Sequence, residues 1–193
     1  MIKLIEESDL VYKLLVVLGE SSPKIWRRFV ITANSSLYRL HKTLQIVMGW
    51  EECHLHEFLI AGKHYGEPNP EYELGPTAML DHRRFKIYQV APSVGDKFIY
   101  IYDFGDGWQH KITVEDIYPK TKGERYPVCL AGANACPPED SGNLPGYYEK
   151  LQIMNDPTHP EHEDIKQWMG PSFDPVHFDL ECVNLGLRNI SRR

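Results

Sequence analysis

The chain has 193 residues, 42% of them hydrophobic, and a formal charge of −6 from 27 acidic and 21 basic side chains. This is the balance of a soluble domain with one substantial core, and it excludes an overall positive field of the kind that drives binding to a phosphate backbone. The longest apolar run, Leu14 to Leu18, falls far short of the ~20 residues that cross a bilayer, so no membrane association is expected.

"MIKLIEESDLVYK" puts acidic residues where a signal peptide has its apolar region, so a cytoplasmic location is expected. Val11–Leu18 and Ile25–Ile31 are rich in branched and aromatic residues, flank "GESSP", and read as two antiparallel strands. Asn34, Ser35 and Ser36 offer capping oxygens ahead of Leu37, Leu40, Leu44, Val47 and Met48 at helical spacing, and Gly49 ends that helix. "HLHEFLIAG" alternates as a strand, and Lys63 to Pro76 is irregular or a shallow hairpin. Phe85–Val90 and Lys97–Phe104 read as strands, with Trp108–Tyr118 the partner of the second. Past Pro119, "CPPEDSGNLPGYY" is loop chemistry. Helices follow over Tyr147–Asn155 and Glu161–Met169, then a helical segment from Pro175 to about Leu187.

Tyr102 to His110, "YDFGDGWQH", carries the densest chemistry. A two-residue turn at Asp106-Gly107 sets Gly105 against Trp108, Asp103 against His110, Ile101 against Ile112 and Ile99 against Val114. A shift of one residue would set Ile101 against Lys111, so turn chemistry and hydrophobic pattern favour the same register. Asp103 then faces His110 at the rim of the core. Tyr100, Tyr102 and Phe104 lie on the second face, open to a partner unless helices cover them. An Asp–His pair either orients an imidazole for metal binding or proton transfer, or simply closes the hairpin.

His54 and His56 share one face of their strand in an H-x-H arrangement and form, with His110, a candidate metal set; Phe58 and Ile60 on that face equally suit structural histidines. The "PPED" loop adds Glu139 and Asp140. The catalytic candidates are therefore Asp103, Asp106, His110, Glu139 and Asp140, with Trp108 walling the site from water. The four cysteines, Cys53, Cys129, Cys136 and Cys182, form no C-x-x-C pair and read as reduced, mostly buried thiols. Two basic clusters, Lys24 with Arg27 and Arg28, and His82 with Arg83, Arg84 and Lys86, are solvated faces unless the fold unites them into a nucleic-acid surface. The templates G-x-S-x-G, G-x-x-x-x-G-K and H-E-x-x-H are absent, and Gly105-Asp106-Gly107 opens a strand rather than a helix.

"SPKIWRRFVI", "LHKTLQIVMGWEECHLHEF", "YDFGDGWQH", "YPVCLAGANACPPEDSGNLPGYY" and "FDPVHFDL", in this order, resemble the plasmid ORF-three-like family over Val11 to Leu187. The resemblance implies a cytoplasmic α+β domain met in plasmid or insertion-element contexts, without an established activity. Some relatives carry the label of passenger protein or resolvase. An acidic chain with no terminal helix-turn-helix does not support a serine recombinase. The family loop reads Cys and Gly where this chain has Ser141 and Asn143, which weakens a soft-metal site built on the loop alone.

The expected fold is a single α+β domain, residues 1–193 with a core of about 11–187, in which helices pack on one face of a mainly antiparallel sheet. The expected function is a non-catalytic binding or accessory module for plasmids or insertion elements, with a protein partner and no resident cofactor. Tyr100, Tyr102, Trp108, Arg27, Arg28, Arg83 and Arg84 are its contact candidates. Two alternatives stand beside it: a metal-assisted hydrolytic site around Asp103 and His110 with a divalent ion, and nucleic-acid binding.

Overall fold

The computed structural model describes residues 6–68 and 78–190. Among these residues, eight strands, β1 (Leu10–Leu18), β2 (Trp26–Thr32), β3 (His56–Ile60), β4 (Lys63–Gly66), β5 (Leu80–Asp81), β6 (Lys97–Tyr102), β7 (Trp108–Pro119) and β8 (Val128–Ala133), form one sheet in the order β5-β4-β3-β6-β7-β1-β2-β8. Every pairing is antiparallel except β4 with β5. The helices are α1 (Leu37–Met48), α2 (Ile87–Val90), α3 (Asn143–Met154), α4 (His162–Met169) and α5 (Leu180–Ile190). A single α+β domain with a mainly antiparallel sheet is the architecture found.

The helix α1 forms where its caps and stripe require. The Ser36 hydroxyl accepts from the Arg39 amide at 3.2 Å, and Gly49 closes the helix at φ 89°, a left-handed conformation that glycine adopts without strain. Leu37, Leu40, Leu44, Val47 and Met48 are buried in the same core cluster as Leu14, Val16, Phe29, Phe58 and Ile112 of the sheet. Each such side chain contributes roughly 1.5–3 kcal/mol by leaving water. The other face of the sheet carries ion pairs instead, Arg28 with Glu115 and Lys13 with Asp116.

The β6–β7 hairpin departs from the expected register. Tyr102 lies opposite Trp108, Tyr100 opposite His110 and Phe98 opposite Ile112, leaving a loop over residues 103–107. Asp103 takes φ 56° and its carboxylate accepts from the Gly105 amide at 2.9 Å. Relative to the Asp106-Gly107 turn the pairing slips by an odd number of residues, which exchanges the two faces of β6. Phe98, Tyr100 and Tyr102 are buried, while Ile99 and Ile101 are only half-buried. Both faces of β6 are apolar, so hydrophobicity alone does not choose between them; the larger aromatic area and the partners available to the two phenols decide. Tyr100 and Tyr102 are therefore core residues rather than an exposed contact surface, and Asp103 does not pair with His110.

Phe85–Val90 is also different. Ile87–Val90 is a helical turn, because the Ile87 and Tyr88 amides donate to Ser35 and Ala33 while Phe85 accepts from Leu37, which ties the segment to the start of α1. Lys63–Gly66 makes the shallow hairpin with β3 through Ala61 and Gly62, both at positive φ, whereas residues 69–76 of that stretch lie outside the described residues. The strand β8, "VCLAGA", has no expected counterpart. Its outer edge meets α5, where the Asn184 side-chain amide accepts from Cys129 N–H at 2.8 Å and donates to Cys129 C=O at 2.9 Å. Gly186 sits 3.0 Å, by a would-be Cβ, from Ile46, allowing α5 to lie against α1.

Candidate metal centre

Three chain segments meet at the tip of the β6–β7 hairpin: Trp50 to Leu55 after α1, the loop 103–107, and Pro137 to Gly142. Trp50 donates its indole N–H to Pro137 C=O at 3.0 Å, the Asp103 amide donates to Leu55 C=O at 2.9 Å, and the Gly142 amide donates to the Asp106 carboxylate at 2.9 Å. Glu52, Asp103 and Asp140 all take positive φ, a left-handed conformation disfavoured for residues with a Cβ. Backbone strain held in place by packing is a feature of working sites.

These segments gather His54, Asp103, Glu139 and Asp140. His54 Nε2 lies 3.3 Å from Asp140 Oδ1, 3.7 Å from Asp103 Oδ2 and 3.8 Å from Glu139 Oε2. Two of the facing atoms, His54 Nε2 and Glu139 Oε2, are out of contact with solvent and have no hydrogen-bond partner. His82 Nε2, Trp108 Nε1 and His110 Nε2 are likewise buried without a partner, so what marks this group is that its two unpartnered atoms stand beside further carboxylate oxygens. The donors fall into two sets, His54–Asp103–Asp140 and Cys53–His54–Glu139, each with all its ligand atoms within 4.8 Å of one another. One imidazole with carboxylates suits a first-row divalent ion, and the exposed Asp140 side chain leaves one side open.

Tyr102 organises the group from below. Its hydroxyl donates to Glu139 Oε1 at 2.9 Å and accepts from the Cys53 and His54 amides at 3.1 and 3.3 Å. Burial, with the bond to the Glu139 carboxylate, raises its pKa well above the ordinary phenol value, so it stays a neutral donor. The Glu51 amide also donates to Glu139 Oε1, at 3.0 Å, leaving Oε2 free.

The sequence candidates divide accordingly. Asp103, Glu139, Asp140 and His54 converge; Asp106 ties the hairpin to the loop beside them. His110 does not join. It is fully buried on β7, its Nδ1 contacts Tyr100 C=O at 3.2 Å, its ring meets Trp50 edge-on at 5.0 Å, and burial lowers its pKa to about 4. Trp108 is a core residue rather than a wall of the site. His56 belongs elsewhere: it stacks on His41 with ring centroids 3.4 Å apart and contacts His82 through Nε2 at 3.0 Å. His41 bridges the Tyr100 hydroxyl (2.8 Å) and Glu52 (3.0 Å). Burial, then the neighbouring charged forms, lowers the pKa of His41 to about 3 and of His56 to about 2. His41 was legible only as a polar residue within the stripe of α1.

Of the thiols, Cys129 is buried, but Cys53 and Cys182 are exposed, against the expectation of mostly buried cysteines. The basic clusters do not meet. Arg27 points into the core side, donating to Val47, Trp26 and Ala133 carbonyls, and Arg28 is held by Glu115. Arg83 pairs with Glu67 and follows β5, at the other end of the sheet from β2, on the order of 30 Å away at one strand spacing per step.

A family model for the plasmid pRiA4b ORF-3-like proteins matches residues 10–182. The chain belongs to this family. The uncharacterized protein y4hQ of Sinorhizobium fredii is 39% identical over 185 residues, which cover 95% of this chain and 93% of that protein. The crystal structure of a protein of unknown function, MM3350 from Methanosarcina mazei Go1, superposes with a TM-score of 0.81 at 36% identity, covering 89% of this chain and 96% of the other. All five donors of the plasmid pRiA4b ORF-3-like chain described here lie within the matched span. Among the described residues, no helix is long and apolar enough to cross a membrane.

Proposed function

We propose that the protein binds a divalent cation at His54, Asp103 and Asp140 and uses it for metal-assisted hydrolysis. The observation that carries this is the convergence of one imidazole and three carboxylates from three segments, with His54 Nε2 and Glu139 Oε2 buried and unpartnered. A bound ion would supply Lewis-acid activation of a water or carbonyl at the open side. Glu139, gripped through Oε1 by Tyr102 and the Glu51 amide, presents Oε2 as the proton acceptor. The test is equilibrium dialysis of tag-free protein against Mn2+. The expected result is one ion per chain and its loss in His54→Ala and Asp103→Asn; absence of stoichiometric binding at millimolar Mn2+ overturns the reading.

A non-catalytic accessory module in a plasmid or insertion-element setting is the second reading. Its plasmid setting is supported by the family description, and a docking role by a cleft of about 570 Å³ between α1 and α5, lined by Tyr38, Arg39, Lys42, Trp50, Gly186 and Asn189. Pull-down from native lysate with a cleft variant at the exposed lining residue Asn189, Asn189→Trp, as control tests it: a partner lost with the variant supports the module, and recovery of no partner removes it.

A further inference from the structure

The two donor sets share a single residue. His54 belongs to both, while Cys53 and Glu139 complete one and Asp103 and Asp140 the other. The imidazole nitrogen facing the carboxylates is Nε2, which has one lone pair and so can bind one ion at a time. The sets also differ in chemistry. Imidazole with two aspartates is a hard to borderline site suited to Mn2+, whereas thiolate, imidazole and carboxylate form a softer site suited to Zn2+ or Co2+.

The geometry points to a selectivity device that rests on the reading of this cluster as a cation site: Cys53, His54 and Glu139 form a second, mutually exclusive site for a thiophilic divalent ion such as Zn2+. Cys53 is exposed, so an ion reaches its sulfur directly, and the neighbouring segment is already fixed by Tyr102, whose hydroxyl accepts the Cys53 and His54 amides. Glu139 Oε2 is buried with no partner, which gives this set a polar atom waiting for a ligand independently of the thiol. On binding, the Cys53 thiol loses its proton to solvent and no redox change occurs. The consequence for the hydrolytic reading is direct. A thiophilic ion takes Glu139 as a ligand and removes the proton acceptor, so Zn2+ and Mn2+ give two different proteins from one chain.

The experiment is a Co2+ titration of the full, tag-free, reduced protein followed by near-ultraviolet absorption, beside Mn2+ binding followed by electron paramagnetic resonance. The expected result is a sulfur-to-Co2+ charge-transfer band that saturates at one ion per chain, vanishes in Cys53→Ser and persists in Asp140→Asn. Mn2+ affinity should be unchanged in Cys53→Ser and fall at least tenfold in Asp140→Asn. In the wild-type chain, needing no variant, Zn2+ should displace bound Mn2+ one for one. Mn2+ binding together with Co2+ binding that shows no thiolate band, or Zn2+ that binds beside Mn2+ without displacing it, overturns the second site alone. Failure of every ion to bind overturns both this inference and the reading it rests on.

Discussion

Two imidazoles, His54 and His56, lie two residues apart on one segment and differ in almost everything else. His56 stacks with His41 and His82, deep enough that burial favours the neutral rings. His54, two residues earlier, is half-buried and faces carboxylates, its Nε2 making no hydrogen bond. The difference lies in what completes each ring. The His41 ring is saturated by Tyr100 and Glu52, both from the protein, and so has no vacancy for a ligand. The acidic neighbours of His54 sit at 3.3–3.8 Å, outside good hydrogen-bond distance for most and close to the span of a coordinated ion.

The largest expected effect concerns acid. His41 and His110 have folded pKa values near 3 and 4, below the ordinary 6.5, so the unfolded chain takes up protons first as pH falls. Their contribution is present above pH 6.5 and is lost progressively down to their folded values, at about 1.4 kcal/mol per pH unit for each ring. Urea unfolding at pH 7, 5.5 and 4.5 should show a steep loss; equal stability at all three would break the contrast between closed and open groups.

Next comes His110→Ala, which empties a fully buried ring position and should lower stability by about 3 kcal/mol while leaving Mn2+ binding intact. Loss of the metal with an unchanged melting temperature would place His110 in the site after all. His54→Ala should do the reverse, weakening Mn2+ binding at least a hundredfold with little change in Tm. Tyr102→Phe tests the connection between the two regions: it strips Glu139 and two amides of a partner, at about 1–3 kcal/mol, and should weaken Mn2+ binding roughly tenfold. The smallest effect is expected on the other face of the sheet, where Glu115→Gln, which weakens the partly exposed pair with Arg28, should cost less than ~1 kcal/mol in the same unfolding assay.

Much of this architecture could be read from the sequence where local signals agree. Ser36, the Leu37–Met48 stripe and Gly49 state the same helix three times, and the strands around "GESSP" follow from their branched residues. The β6–β7 hairpin was not readable to that depth, because Ile99 and Ile101 compete with Tyr100 and Tyr102 for the core and only the tertiary partners of the phenols choose. That ambiguity paired Asp103 with His110 instead of leaving it to His54. The carboxylates are identifiable in the sequence as a chemical group and His54 as a metal candidate, but the sequence joins His54 to His56 and His110 rather than to the carboxylates, since His54 precedes the strand that would have fixed its direction. "VCLAGA" failed for the opposite reason, its Ala and Gly residues carrying little strand preference.

The contact between Asn184 and β8 bears on how copies of this protein behave in a crowded solution. A sheet edge is an adhesive rim, a row of unused amide and carbonyl groups on which another molecule's strand can be templated. Here the side-chain amide of a helix residue offers Cys129 the same donor and acceptor that a neighbouring peptide would. At the opposite rim, among the described residues, β5 offers two residues, too few to template a strand. The two ends of the described ribbon thus carry different devices against such growth: at one, a helix side chain answers a residue of β8 as a ninth strand would, and at the other the strand is too short to act as a template.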